Sequence, residues 1–105
     1  MSAAAAIRGY NQTNEMRKAA LRLFQTVDLV LSPTSPMTAF PAEWASPLND
    51  PHRPFEHIAF TVPWNMAENP AASINCGFSK QGDAIGLQIV GPRFADLTVL
   101  RVARF

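Results

Sequence analysis

Six of the nine prolines in this chain fall between residues 33 and 54, at Pro33, Pro36, Pro41, Pro47, Pro51 and Pro54. Each proline removes a backbone donor and fixes φ, so neither a helix nor a sheet strand runs through this segment. The chain is therefore split into an amino-terminal part, a long loop and a carboxy-terminal part. A loop of about 20 residues without regular structure is uncommon in a compact domain and usually serves a function or a partner.

The parts on either side of the loop read clearly. Met16, Ala20, Leu23, Phe24 and Val27 recur at three- and four-residue steps and predict a helix over 11–27, capped by Asn11 or Thr13. Residues 28–32 read as a short strand. Its continuous apolar run, Leu29 to Leu31, is the pattern of a strand buried on both faces. Beyond the loop, 55–67 predicts a short helix interrupted at Pro63. Residues 71–90 predict a strand hairpin turning at Gly82 and Asp83. Residues 95–105 restart a helix with Asp96 as its cap. No helix stop signal follows, so the sequence reads as cut from a longer one.

Composition limits the function classes. Hydrophobic residues make up 48% of the 105 and charged residues 16%, with a formal net charge of +1. This argues against disorder. So few charges among so many apolar residues leave surface that something else is expected to cover. No block of like charge favours nucleic acid or a membrane surface. No apolar run approaches the ~20 residues of a membrane span. The lone Cys76 excludes an intrachain disulfide and fits a reducing compartment, so the cytoplasm is the default location. Cys76 is expected to be a buried structural thiol.

Chemistry within the segment is sparse. His52 and His57 lack the spacing that places two imidazoles on one helix face, so no metal site is expected. No serine sits in a G-x-S-x-G elbow, and neither lysine is placed for the burial that would make it a base. There is no glycine-rich phosphate loop, and no cofactor is expected. No residue of the segment reads as catalytic.

Three blocks carry a resemblance. These are "DLVLSPTSP" at 28–36, "FTVPWNMAENPAASINCG" at 60–77 and "GLQIVGPRFADLTVL" at 86–100. In this order they resemble the carboxy-terminal part of the amidase signature family, across about residues 8–105. The resemblance implies an α/β/α fold in which helices flank a mixed sheet. It also implies amide hydrolysis by a Ser–cis-Ser–Lys triad carried on chain well upstream, so this segment alone is expected to be inactive. By the same resemblance the "SPTSPM" loop and the "PWN" turn edge a substrate pocket, with Met37, Trp64 and Asn65 facing it. On its own residue chemistry Trp64 suits packing between elements better than a substrate wall. On its own residue chemistry Asn65 suits bonding to backbone groups freed by Pro63 and Pro70 better than touching substrate.

Departures from the family pattern set further expectations. Glu68 stands where glycine is frequent, so the turn before Pro70 is expected to use a conformation that does not need glycine. Asn75 replaces a frequent proline. Ile58 stands where the A subunits of tRNA-dependent amidotransferases carry aspartate, which favours an amidase with an apolar substrate side. The proline-rich loop with Trp44 would set substrate choice. The partner implied is a small-molecule amide. The alternative is an interaction or scaffold module derived from the same fold, or an amidotransferase segment. Unpaired sheet edges at 28–32 and 71–90 predict self-association of the isolated segment.

Overall fold

The computed structural model describes all residues, 1–105. Helix α1 spans Ala3–Leu23, beginning at Ala3 rather than Asn11. Its cap is Ser2, whose Oγ accepts a hydrogen bond from the Ala5 amide at 3.1 Å. Ala3 to Ala6 are the best helix formers. They bury almost nothing, so no apolar period announced them. The helix ends at Leu23, short of Val27. There the Thr26 hydroxyl donates to the Leu23 carbonyl at 3.0 Å and competes with continued helix.

Three strands follow: β1 (Val30–Pro33), β2 (Ala71–Phe78) and β3 (Ala84–Val90). Their spatial order is β1-β3-β2, so β3 is last in the chain and central in the sheet. Both neighbours run antiparallel to it, with Ser32 and Ser73 each opposite Gln88. A helix from the carboxy-terminal end of the chain packs on this sheet, and the architecture is α/β. Strand β1 is an edge strand, not one buried on both faces: Leu31 is 60% exposed. A short apolar run does not reveal how many neighbours its strand has.

The turn from β2 to β3 is built by Ser79. Its Oγ accepts from the amides of Gln81 and Asp83, at 3.2 and 3.1 Å. Near the end of β2 the register shifts between Asn75 and Gly77, and Cys76 is the extra residue of a bulge. Cys76 is therefore exposed rather than buried. Its thiol donates to the Ile85 carbonyl at 3.5 Å. The Asn75 side-chain oxygen closes the bulge by accepting from the Gly77 amide at 2.7 Å.

The segment expected as one interrupted helix is two pieces. A single 3-10 turn covers Glu56–Ile58, and helix α2 covers Val62–Ala67. Pro63 does not interrupt α2. It lies in the first turn, where a missing amide hydrogen leaves no bond unmade. Helix α3 spans Asp96–Ala103, with Ala95 in the cap position. Asp96 is thus one residue inside the helix, where its charge still suits the amino-terminal dipole.

The apolar core is small: Ala20, Ala67, Ile89, Val90 and Val99. Helix α3 packs against β2 and β3, and α1 packs against α2. Large apolar side chains stay exposed around this core, Phe94 at 83% among them. Uncovered apolar surface is the structural counterpart of the lightly charged composition. No helix is long and apolar enough to cross a membrane.

Candidate functional site: a hydroxyl-lined concavity

The site forms where the chain leaves β1. The Thr34 amide donates to the Gly86 carbonyl at 3.0 Å, which carries the β1–β3 pairing one residue past the strand. That places the Thr34 hydroxyl 2.6 Å from the Ser73 hydroxyl. The two residues are 39 apart in sequence. They meet over Gly86 because Gly86 has no side chain. A Cβ there would lie 2.8 Å from Thr34 Oγ1 and 2.9 Å from Ser73 Oγ.

Beside this pair the loop turns, with the Ser35 hydroxyl accepting from the Met37 amide at 3.3 Å. The result is a concavity of about 640 Å³ whose walls include Thr34, Met37, Phe60, Ser73, Ile85 and Gly86. No ionisable side chain lines it. Its size and its apolar walls with a few converging polar groups are the ordinary attributes of a small-molecule site.

Gln88 fixes the far wall. It is 3% exposed. Its amide nitrogen donates to Ser32 Oγ at 3.1 Å and to the Phe60 carbonyl at 2.9 Å. One buried side chain thus ties β1 and the approach to α2 to the central strand. A second groove, of about 450 Å³ and wholly apolar except for backbone, runs along Phe55, Ile58, Val62 and Met66.

The three residues expected to face a pocket are not brought together. Met37 lines the hydroxyl-edged concavity. Trp64 lies in the seam between α1 and α2, its ring 6.1 Å from that of Phe24 at an interplanar angle of 56°. Asn65 is exposed on α2. The backbone bonding expected of it belongs to Asn69. The Asn69 side-chain nitrogen donates to the Gly91 carbonyl at 3.0 Å, and its amide donates to the Trp64 carbonyl at 3.0 Å.

Glu68 corrects another expectation. It adopts the left-handed conformation that glycine favours, with φ 62° and ψ 36°. Its carboxylate forms ion pairs with Arg17 of α1 and Arg93 of the β3–α3 connection. The turn keeps the glycine geometry, and two arginines hold the side chain that glycine would lack.

No serine hydroxyl in the chain is hydrogen-bonded to a lysine or a histidine; Ser2, Ser32, Ser35, Ser73 and Ser79 bond to backbone, hydroxyl, amide or carboxyl groups. A serine nucleophile needs an adjacent base to take its proton. Of the pocket residues, Gly86 reads from sequence only as a glycine of close approach, and Thr34, Phe60 and Ser73 carry no signal of their own. The "SPTSPM" loop was the one signal near them. Their meeting depends on β3 pairing with both neighbours.

Comparison with known proteins gives this geometry a family. The amidase family model matches residues 1–100. The chain belongs to the amidase family. It is 42% identical over 98 residues to the glutamyl-tRNA(Gln) amidotransferase A subunit of Brevibacillus brevis, covering 90% of this chain and 20% of that protein. It is 46% identical over 80 residues to the corresponding protein of Prochlorococcus marinus, covering 76% of this chain and 16% of that protein. Among solved structures, the glutamyl-tRNA(Gln) amidotransferase A subunit of Thermotoga maritima superposes with a TM-score of 0.80 at 35% identity, covering 96% of this chain and 22% of that one. The 6-aminohexanoate cyclic dimer hydrolase in complex with substrate gives 0.66 at 27% identity, covering 87% and 22%. The chain spans about a fifth of the length of these relatives.

Proposed function

We propose that this chain supplies one wall of the substrate pocket of an amidase whose reactive serines and lysine lie on chain outside these 105 residues. The observation that carries the reading is the concavity over Gly86, with its hydroxyl pair and Met37, in a member of the amidase family. Met37 belongs to the wall. Trp64 holds α2 against α1, and Asn65 lies outside the wall. The substrate is a small amide, and no nucleic acid, membrane or cofactor takes part. The protein works in the cytoplasm. Alone, the 105 residues are inactive, because no serine in them has a base to activate it, and they associate through their free strand edges.

A second reading, a segment of an amidotransferase, is favoured by the identity of 42% to the Brevibacillus brevis protein. Ile58 in its apolar groove favours the hydrolytic reading instead.

The test is a chimaera in which these residues replace the matching part of the Thermotoga maritima protein. Release of ammonia from simple amides by the chimaera, with none above a buffer blank from the isolated chain, is the expected result. A folded but inactive chimaera overturns the assignment of the wall. Hydrolysis by the isolated chain overturns the placement of the triad.

A further inference from the structure

We propose that Glu68 is a salt-sensitive latch between two packed units of this chain, α1 with α2 and the sheet with α3. The latch lies apart from the concavity over Gly86 and does not rest on the proposed function.

The buried apolar residues fall into two groups. Ala20 and Ala67 belong to α1 and α2, whereas Ile89, Val90 and Val99 belong to β3 and α3. The tilted pair of Phe24 and Trp64 adds to the first group. Between the units lies a cavity of about 110 Å³ whose walls include Arg17, Ala20, Ala67, Asn69, Pro92 and Arg93. A packed interior has few voids larger than a water molecule, so this seam is not a continuous core. Its polar groups are incompletely paired as well. Arg17 Nε and Asn69 Oδ1 are buried with no hydrogen-bond partner in the chain.

Polar ties cross the seam instead. Gln88 donates to the Phe60 carbonyl ahead of α2, and Asn69 donates to the Gly91 carbonyl behind it. Neither tie reaches α1. The side-chain hydrogen bond that leaves α1 is the one from Arg17 to Glu68. The other carboxylate oxygen of Glu68 pairs with Arg93, on the connection from β3 to α3. One carboxylate thus ties α1, α2 and the second unit together. Glu68 holds it there from a left-handed backbone, with φ 62°, a conformation that a non-glycine residue keeps only at a cost. Glycine, frequent at this position in the family, would keep the turn and lose the latch. Both ion pairs are partly exposed, so salt screens them.

The test is a distance measurement by pulsed electron spin resonance on the 105-residue protein. One spin label sits on Cys76 of β2 and the other on Gln12→Cys of α1, both exposed positions. Labelled chain is diluted in unlabelled chain, so that association adds no distance. Raising salt from about 0.1 M to about 1 M shortens the screening length from about 10 Å to about 3 Å. The chain with Glu68 intact is expected to give a narrow distribution at low salt that broadens and lengthens at high salt. Glu68→Ala and Arg93→Met are expected to be broad already at low salt and to ignore added salt. Lys18→Met, which breaks the pair with Glu15 inside α1, should behave like the chain that keeps Lys18. Circular dichroism reports whether each variant is folded, and the salt series on the Glu68 chain decides the matter without any latch variant. A distribution that salt leaves unchanged in that chain, or a folded Arg93→Met as narrow as it, overturns the latch.

Discussion

The side-chain amide of Gln88 donates to the backbone carbonyl of Phe60, 2.9 Å away, across 28 residues of sequence. The same nitrogen reaches Ser32 on β1. Gln88 is therefore a fastening between three segments, and its polarity in an otherwise apolar strand is explained by its two partners. Replacing it with leucine keeps the volume and leaves the Phe60 carbonyl unpaired. Phe60 is partly exposed and water can reach it, so losing this bond costs about 0.5–1.5 kcal/mol. Gln88→Leu is expected to lower stability by that amount in a denaturant titration. An unchanged midpoint would refute the fastening.

Gly86 is expected to tolerate no side chain. Alanine there would place a methyl 2.8 Å from Thr34 Oγ1 and 3.0 Å from Thr34 Cβ. Crowding of this kind typically costs about 1–3 kcal/mol. Because the clash is with two specific side chains, Thr34→Ala and Ser73→Ala added to Gly86→Ala should recover part of the loss. A double-mutant cycle of thermal midpoints measures that recovery. Strict additivity would show that the hydroxyl pair is not what Gly86 accommodates.

Glu68 sets two effects against each other. A non-glycine residue in the left-handed region costs about 1–2 kcal/mol. The ion pairs to Arg17 and Arg93 are partly exposed, so each returns about 0–1 kcal/mol. Glu68→Gly removes both effects and is expected to change stability by less than about 1 kcal/mol. Glu68→Ala keeps the backbone strain and loses the pairs, so it should be the less stable variant. Its deficit relative to wild type should shrink in high salt, because screening weakens the pairs it lacks. Denaturant midpoints at low and high salt check both statements.

The order β1-β3-β2 leaves an unpaired edge on each side of the sheet, and exposed strand edges pair with other chains. The isolated chain is expected to sediment as dimers or larger species at high concentration. Leu31→Lys places a charge on the β1 edge and should shift the distribution toward monomer. A clean monomer for the unsubstituted chain would overturn the expectation.

What the sequence revealed and what it hid divide by range. The hairpin at 71–90 was legible because its apolar runs and the Gly82–Asp83 turn are adjacent signals. The family was legible from three motif blocks in order. Helix α1 was found by its packed half, from Met16 to Leu23. Its alanine-rich start was missed because periodicity records burial, and those turns bury nothing. The bulge at Cys76 was hidden because a one-residue slip in register leaves no local mark. The Thr34–Ser73 contact was hidden because it exists only once β3 has inserted between two strands that never touch.

That insertion has a consequence for synthesis. Strands β1 and β2 leave the ribosome before the strand that both must pair with. Among these residues each pairs only with β3 (Ala84–Val90), so this part of the sheet closes only after both outer strands have been made.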